Sequence, residues 1–317
     1  MKAFSGAIRQ YRMYLILVLL FLAFSIIAKN FFSLNSLATI LRSASLVTIA
    51  GLGAGIVIIA GGVDISIGSV MSLATVLAAK LMVDLEMNPW LSGIIAVGCC
   101  TLIGAFNGLL VVKTHMPPMI CTLGMMTAIR GISYTITQGR SIYGVPNEFK
   151  YLGQGNLWII PVPVLIMLVL VIIAALILNN TYSGRYIYAI GSNEEAARLS
   201  GVNINLIRFF TYVVSGVTAG ITGIMMLSRT GSGNAVAYNG FEMDVLIAVI
   251  VGGISFLGGT GKITSAVVGA LIMGVLKTGL IMSGASEYWQ QTIMGFVLIA
   301  VVGYDSYRTW KIKNADY

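Results

Sequence analysis

The sequence predicts an all-α, polytopic transmembrane helix bundle of about ten spans, broken or re-entrant ones among them. Three observations carry that expectation. Apolar residues make up 57% of the chain and charged residues only 9%, far below the roughly one quarter that is charged in a soluble domain. Stretches of about 17–25 mainly apolar residues, the length of a helix that crosses a bilayer, recur along the whole chain. The charges that do occur gather between those stretches, and the mean hydropathy is +0.92.

The first stretch, residues 13–28, follows Lys2, Arg9 and Arg12 and has the outline of a secretory leader. Because no small-x-small cleavage site follows it, it is expected to persist as an uncleaved first helix. Further stretches run near 45–63, 69–83, 90–112, 118–137, 160–178, 208–228, 244–258, 263–283 and 288–304. The third and the eighth are short for a full crossing, so each is expected to be tilted, broken or re-entrant. Together they form a single domain, residues 1–317. The G-x-x-x-G pairs Gly51/Gly55, Gly104/Gly108 and Gly216/Gly220 would let helix backbones approach closely where no hydrophobic effect drives association.

Charge sets the orientation. With the N-terminus and C-terminus in the cytoplasm, Lys2, Arg9, Arg12, Lys113, Arg185, Arg198, Arg208, Lys262, Arg308, Lys311 and Lys313 fall inside, against Lys29, Arg42, Arg140, Lys150 and Arg229 outside. The excess of cations inside follows the positive-inside rule. The formal charge of +8 is then explained by topology and anionic membrane lipid. No basic and aromatic interleaving points to nucleic acid.

Motifs for covalent chemistry are missing. Gly258-Gly259-Thr260-Gly261-Lys262 hints at a phosphate loop, but Phe256 and Ile263 stand where that loop requires Gly and Ser or Thr, so it reads as a tight turn. Neither a nucleophile elbow nor a zinc helix appears. Cys99, Cys100 and Cys121 fall within apolar stretches and His115 is the one histidine, so no metal set can be built. The chain is expected to carry no catalytic residue, no metal and no cofactor of its own.

Two polar clusters interrupt the apolar pattern. Between Asn179 and Arg208 the chain reads NNTYSGRYIYAIGSNEEAARLSGVNINLIR. Ser192 and Glu195 have the spacing of a capping box, so a short helix is expected to begin there. Glu194 and Arg198 form an i,i+4 pair along it, and Gly201 stops it. The island is expected on the cytoplasmic side, either as a docking surface or as a solvated loop. The second cluster, GGVDISIGS at 61–69, places an acid and two hydroxyls between glycines that permit a broken helix. Asp64 has two readings, facing a sugar-sized solute or capping the following helix.

Those two runs, together with GFEMDVLIAVIVGGISFLGGTGK at 240–262, resemble the membrane permease of ribose-type monosaccharide ABC importers, a group that also includes branched-chain amino acid permeases. The resemblance runs from about Asn30 to Tyr304. It implies a bacterial inner-membrane protein that works as a homodimer or beside a similar subunit. It also implies two cytoplasmic ATPase subunits or a tandem ATPase, which would bind ATP and Mg, and an extracytoplasmic sugar-binding protein. By the same resemblance, residues 179–208 would be the coupling segment, with Ser192, Asn193, Glu194, Glu195, Ala196, Ala197, Arg198 and Gly201 at the ATPase contact.

Charges within spans are costly and usually have a reason. Arg130 and Lys277 sit inside the fifth and ninth stretches, where either side chain can snorkel outward. A sharper reading makes Arg130, Asn107 and Thr75 part of a polar solute pathway with Asp64, Ser66 and Ser69. Ribose-type relatives often carry an amide near position 277, so Lys277 departs from that pattern and leaves the solute open. Glu242 and Asp244 open the eighth stretch, where they favour a helix N-terminus. Alternatively, with Arg140, Lys150 and Arg229, they would dock the binding protein. The competing class is an ion-coupled secondary transporter or channel, which would place several ionisable groups deep in the bundle. A membrane enzyme is a third class, for which no catalytic constellation is found.

Overall fold

The computed structural model describes residues 2–236 and 238–315, with side-chain surroundings for 13–236, 238–307 and 311. The charges of Lys2, Arg9, Arg12, Arg308 and Lys313, part of the orientation argument, lie outside the described side chains. The chain is 77% helical. Its helices are α1 (Lys2–Ile27), α2 (Leu34–Ile59), α3 (Ile67–Val83), α4 (Pro89–Thr114), α5 (Pro118–Thr137), α6 (Asn147–Gln154), α7 (Val162–Asn180), α8 (Tyr182–Ser192), α9 (Glu194–Leu199), α10 (Ile204–Thr230), α11 (Phe241–Val251), α12 (Ser265–Met282) and α13 (Glu287–Ala315). Two pairs of two-residue antiparallel strands complete the described residues, 142–143 with 232–233 and 156–157 with 160–161.

Each apolar stretch read from the sequence falls on a helix. Six of the described helices, α2, α4, α5, α7, α10 and α12, are long and apolar enough to cross a membrane one by one. The third and eighth stretches are short, as expected: α3 has 17 residues and α11 has 11. The eighth ends earlier than expected because Gly252 and Gly253, the latter at φ +96°, turn the chain out of the helix.

Local chemistry sets the helix ends. Ser33, Asn88 and Asn203 each accept a first-turn amide of α2, α4 and α10, which satisfies donors that have no intrahelical partner. Prolines occupy the first turns of α4, α5 and α7, where a missing N–H costs nothing.

Helices α2 and α10 form the middle of the bundle. On one side α10 crosses α4 at the G-x-x-x-G pairs. A Cβ on Gly104 would stand 2.4 Å from the Tyr212 carbonyl oxygen, and one on Gly216 would stand 2.5 Å from that of Cys100. On the other side α2 packs against α11 and α12, with Gly55 admitting the side chains of Ile254 and Ile263. The bundle therefore has two ends. The elbow end gathers the C-terminus of α2, helices α8 and α9, and the turn at 258–261. At the hairpin end, Gly153 N–H donates to Ser228 Oγ and Arg42 Nη2 donates to Gln154 O and Asn156 Oδ1.

The close α4–α10 crossing makes a prediction. Gly104→Val should destabilise the purified protein by about 1–3 kcal/mol through overpacking, read by thermal unfolding in detergent. Gly98→Val, on the same helix at a site with nothing within 4 Å of its Cβ, controls for helix propensity. Equal melting of the two variants would contradict backbone contact at Gly104.

Candidate functional site

The polar island folds as an elbow of two helices. Thr181 caps α8, its Oγ1 accepting from Gly184 N–H, and Gly184 has no room for a Cβ, which would lie 2.2 Å from the Leu178 carbonyl oxygen. The sequence reading missed α8. It also placed the cap of the next helix one residue early. Asn193, in extended backbone at φ −158°, is the N-cap of α9, its Oδ1 accepting from Ala196 N–H at 3.0 Å. Ser192 instead ends α8 and donates to Tyr188 O and Gly259 O, so the Ser192–Glu195 capping box does not form.

Charge pairs brace α9. Glu194 meets Arg198 at 3.2 Å and Arg208 of α10 at 2.7 Å, and Glu195 meets Arg198 at 3.5 Å. The Arg208 hydrogen bond, ahead of the nearby charges of Arg208 and Arg198, holds the Glu194 carboxyl below its ordinary 4.5. Gly201 ends the helix at φ +80° with open space around its Cβ position, so backbone conformation alone demands glycine there. Ala197 points inward against Ile190 and Ile204 and is buried within the chain. The exposed face consists of Asn193, Glu195, Ala196, Arg198 and Leu199.

Beneath the elbow lies a backbone contact with no slack. A Cβ on Gly191 would stand 1.8 Å from the Ile59 carbonyl oxygen and 2.5 Å from Gly259 N. Gly259 N–H donates to Ile59 O at 2.9 Å, and Tyr188 OH donates to Gly261 O at 2.8 Å. The turn at 258–261 needs glycine for its positive φ at 258, 259 and 261. From α13, Asp305 Oδ2 accepts from Ser255 Oγ and Phe256 N–H.

Ile59 is also where α2 breaks. The chain turns at Gly61 (φ +80°) and runs non-helically to Ser66 in the interior, where unpaired backbone groups are expensive. Neighbouring helices satisfy two of them. Thr122 Oγ1 of α5 accepts from Ile65 N–H, and Tyr212 OH of α10 donates to Val63 O. Asp64 Oδ1 accepts from Ser66 N–H at 2.9 Å and Ser66 Oγ at 2.6 Å, and its Oδ2 accepts from Ser215 Oγ of α10 at 2.7 Å. Asn107 Nδ2 of α4 donates to Ser66 Oγ at 3.0 Å.

Asp64, Ser66 and Asn107 are thus brought together, with Ser215 as a partner the sequence did not reveal. Asp64 accepts from Ser66 rather than from the first-turn amides of α3, and it is only 2% exposed. The other pathway candidates lie apart. Ser69 and Thr75 are buried further along α3, Thr75 Oγ1 donating to Ser72 O. Arg130 pairs with Glu242 at 3.3 Å.

The acids of α11 are buried, and each meets a cation through one oxygen. Glu242 Oε1 takes Arg130 of α5, and its other oxygen lies where a Cβ on Gly68 of α3 would be. Asp244 Oδ2 takes Lys277 Nζ of α12. Arg130 and Lys277 are thereby paired inside the bundle instead of snorkelling alone. Burial also removes Glu242 and Asp244 from a displayed docking surface. Of the docking cations, Arg140 is exposed, Lys150 donates to Asn147 Oδ1 at 3.0 Å, and Arg229 donates to Ser43 Oγ at 3.2 Å.

A cavity of about 930 Å³ opens among α2, α10, α11, α12 and α13 near the hairpin end, with Arg229, Asp244 and Lys277 in its wall. A second, apolar one of about 310 Å³ lies between α2, α7, α8 and α10. None of Asp64, Ser66, Ser69, Thr75, Asn107 and Arg130 lines either.

Comparison with known proteins agrees with the region these features occupy. A family model described as branched-chain amino acid transport system / permease component matches residues 36–302. A ribose import permease protein of Haemophilus influenzae is 37% identical over 302 residues, covering 94% of this chain and 93% of its own. A D-allose transport system permease protein of Escherichia coli K12 is 33% identical over 300 residues, covering 93% and 91%. A fructose import permease protein of Rhizobium meliloti is 32% identical over 303 residues, covering 92% and 84%.

Two outcomes are expected from this geometry. Asp64→Ala strands three buried donors, each costing about 1–3 kcal/mol, whereas Asp64→Asn keeps an accepting oxygen for Ser66. The alanine variant should melt well below the asparagine variant, and equal melting would contradict the network. At Glu194 the folded pKa is lowered, so its stabilisation is complete above the ordinary 4.5 and is lost as pH falls through the lower folded value. Hydrogen exchange of α9 should rise in that acid window for the wild type and show no such step in Glu194→Gln.

Proposed function

Because this chain belongs to the family of branched-chain amino acid transport system permease components, we propose that it is the membrane subunit of an ATP-binding-cassette importer for a monosaccharide. The relatives named for ribose, allose and fructose support a sugar as cargo. That three different sugars occur at similar identity leaves the choice to the cavity wall.

The observation that carries the reading is the elbow. A short helix displays a small charged face on a rigid support, and that support is in backbone contact with the break in α2. A partner that moves α9 therefore moves the interior of the bundle. In the proposed arrangement, α9 sits on the cytoplasmic face in a groove of an ATPase, two of which, or one tandem copy, bind ATP and Mg. A second permease subunit, identical or similar, completes the pathway, and a sugar-binding protein delivers solute from outside. ATP hydrolysis belongs to the separate subunit.

The proposed topology is ten crossings of the bacterial inner membrane with both termini in the cytoplasm. Helices α3 and α11 serve as the inner pieces of broken spans, as non-helical backbone at membrane depth is tolerated when protein covers it. Arg140 and Lys150 remain the proposed docking cations for the binding protein, while Arg229, Glu242 and Asp244 serve the interior.

An ion-coupled transporter is favoured by one observation, the burial of three carboxylates, Asp64, Glu242 and Asp244. Glu242 and Asp244 each already meet a cation through one oxygen, and Asp64 has three donors. Dependence on an ATPase separates the readings.

Gly201→Val tests the elbow. The variant forces a β-branched residue into the left-handed region without a clash, so the permease should insert and bind its ATPase, while uptake and solute-stimulated ATP hydrolysis are abolished. Wild-type coupling in that variant would remove α9 from its role.

A further inference from the structure

The cavity near the hairpin end has a wall that is chemically selective, and its selectivity can be read. Its volume of about 930 Å³ lies in the range of about 300–1,000 Å³ for small-molecule sites. Asp244, on the first turn of α11, gives Oδ2 to Lys277, and its Oδ1 receives no hydrogen bond among the described residues. The Lys277 side chain is 42% exposed, so its ammonium has donors to spare. Across the cavity, Arg229 donates to Ser43 and meets no acid among the described residues. Asn239 and Tyr238 are among the further polar residues of the wall, and Met226, Met243 and Phe241 supply apolar surface.

The formal charges on this wall cancel, with Arg229 and Lys277 against Asp244 and the rim residue Glu287. A phosphate or carboxylate would gain from the cations but face a fixed carboxylate, and an ammonium ion would meet the reverse. A hydroxyl both donates and accepts, so hydroxyls suit Asp244 Oδ1 and the spare Lys277 and Arg229 donors alike. The apolar side chains suit the C–H face of a ring. Keeping Arg229, Asp244 and Lys277 in this wall is costly, and the free oxygen of Asp244 lies on the cavity.

We propose that Asp244, Lys277 and Arg229 form a recognition site for a neutral polyhydroxylated ring, with the Asp244–Lys277 pair as the hydroxyl-reading element. This rests on the sugar-importer reading and adds the place and the charge class of the solute to it.

The test uses the purified full-length permease with Asn239→Cys introduced and Cys99, Cys100 and Cys121 replaced by alanine. Labelling of the new thiol by an impermeant methanethiosulfonate is followed with D-ribose, D-allose and D-fructose as neutral probes and with D-gluconate and D-glucosamine as charged ones. At least one neutral sugar should slow labelling several-fold, the charged probes should not, and Asp244→Asn should abolish the protection. The double variant Asp244→Lys with Lys277→Asp restores the ion pair and controls for folding. It should melt near the wild type yet give no protection.

Protection that survives Asp244→Asn, returns in the swapped pair, is equal for the charged probes or occurs with none of the neutral sugars would overturn the site. Protection as expected, combined with sugar uptake in liposomes that needs no ATPase, would instead overturn the importer reading and leave the site standing.

Discussion

Everything in this fold depends on how the break between α2 and α3 is satisfied. A helix crossing a membrane pairs its own amides and carbonyls, and interrupting it strands polar groups where no water can reach them. Here the stranded groups of residues 63–66 are taken up by Thr122, Tyr212 and Asp64, and Asp64 in turn takes Ser215 while Ser66 takes Asn107. The requirement to pair each group therefore ties α3, α4, α5 and α10 into one unit. Replacing these links by apolar contacts would let the same helices pack, but would not fix the height at which α2 stops.

The start of that break carries the second tie. Ile59 presents its carbonyl to Gly259 N–H, and Gly191 lies against both. Three segments distant in sequence meet there through backbone atoms, with almost no side chain between them. Such a contact cannot absorb displacement by a rotamer change, unlike a packed leucine. Motion imposed on α8 and α9 passes to the break, and from there to the helices that Asp64 and Ser66 hold. The large cavity lies on the far side of α2 and α10, walled by α11 and α12, which reach the elbow through the turn at 258–261. The α4–α10 crossing, closed on glycine, supplies a stiff surface against which such motion acts.

Much of this was legible in the sequence. Long apolar runs announced the helices, the short third and eighth runs announced α3 and α11, and Gly201 and the Glu194–Arg198 spacing announced the end and bracing of α9. What stayed hidden depends on distance. Ser192 and Asn193 are both good N-caps, and the choice between them is made by Gly259, 67 residues away, which engages Ser192. Helix α8 buries Gly184, Ile187 and Ile190 at helical spacing, a period that went unread because the surrounding island is polar. Lys277 and Asp244 were each conspicuous as charges, but a separation of 33 positions conceals their pairing, just as one of 151 conceals that of Asp64 and Ser215. Glu242 and Asp244 stand in the first turn of α11 as read, but their burial and pairing were hidden, because a carboxylate in a first helical turn looks the same whether solvent or a cation faces it.

The most direct measurement is the number of sugar molecules carried per ATP hydrolysed by the reconstituted importer with Gly191→Ala. One added methyl would have to occupy the space of the Ile59 carbonyl, so the elbow must lift off the break while α9 and its exposed face stay unchanged. The account predicts an ATPase that still binds and hydrolyses ATP while the transport yield collapses. A yield equal to that of the wild type would show that force reaches the bundle by another route, and the relay described here would be wrong.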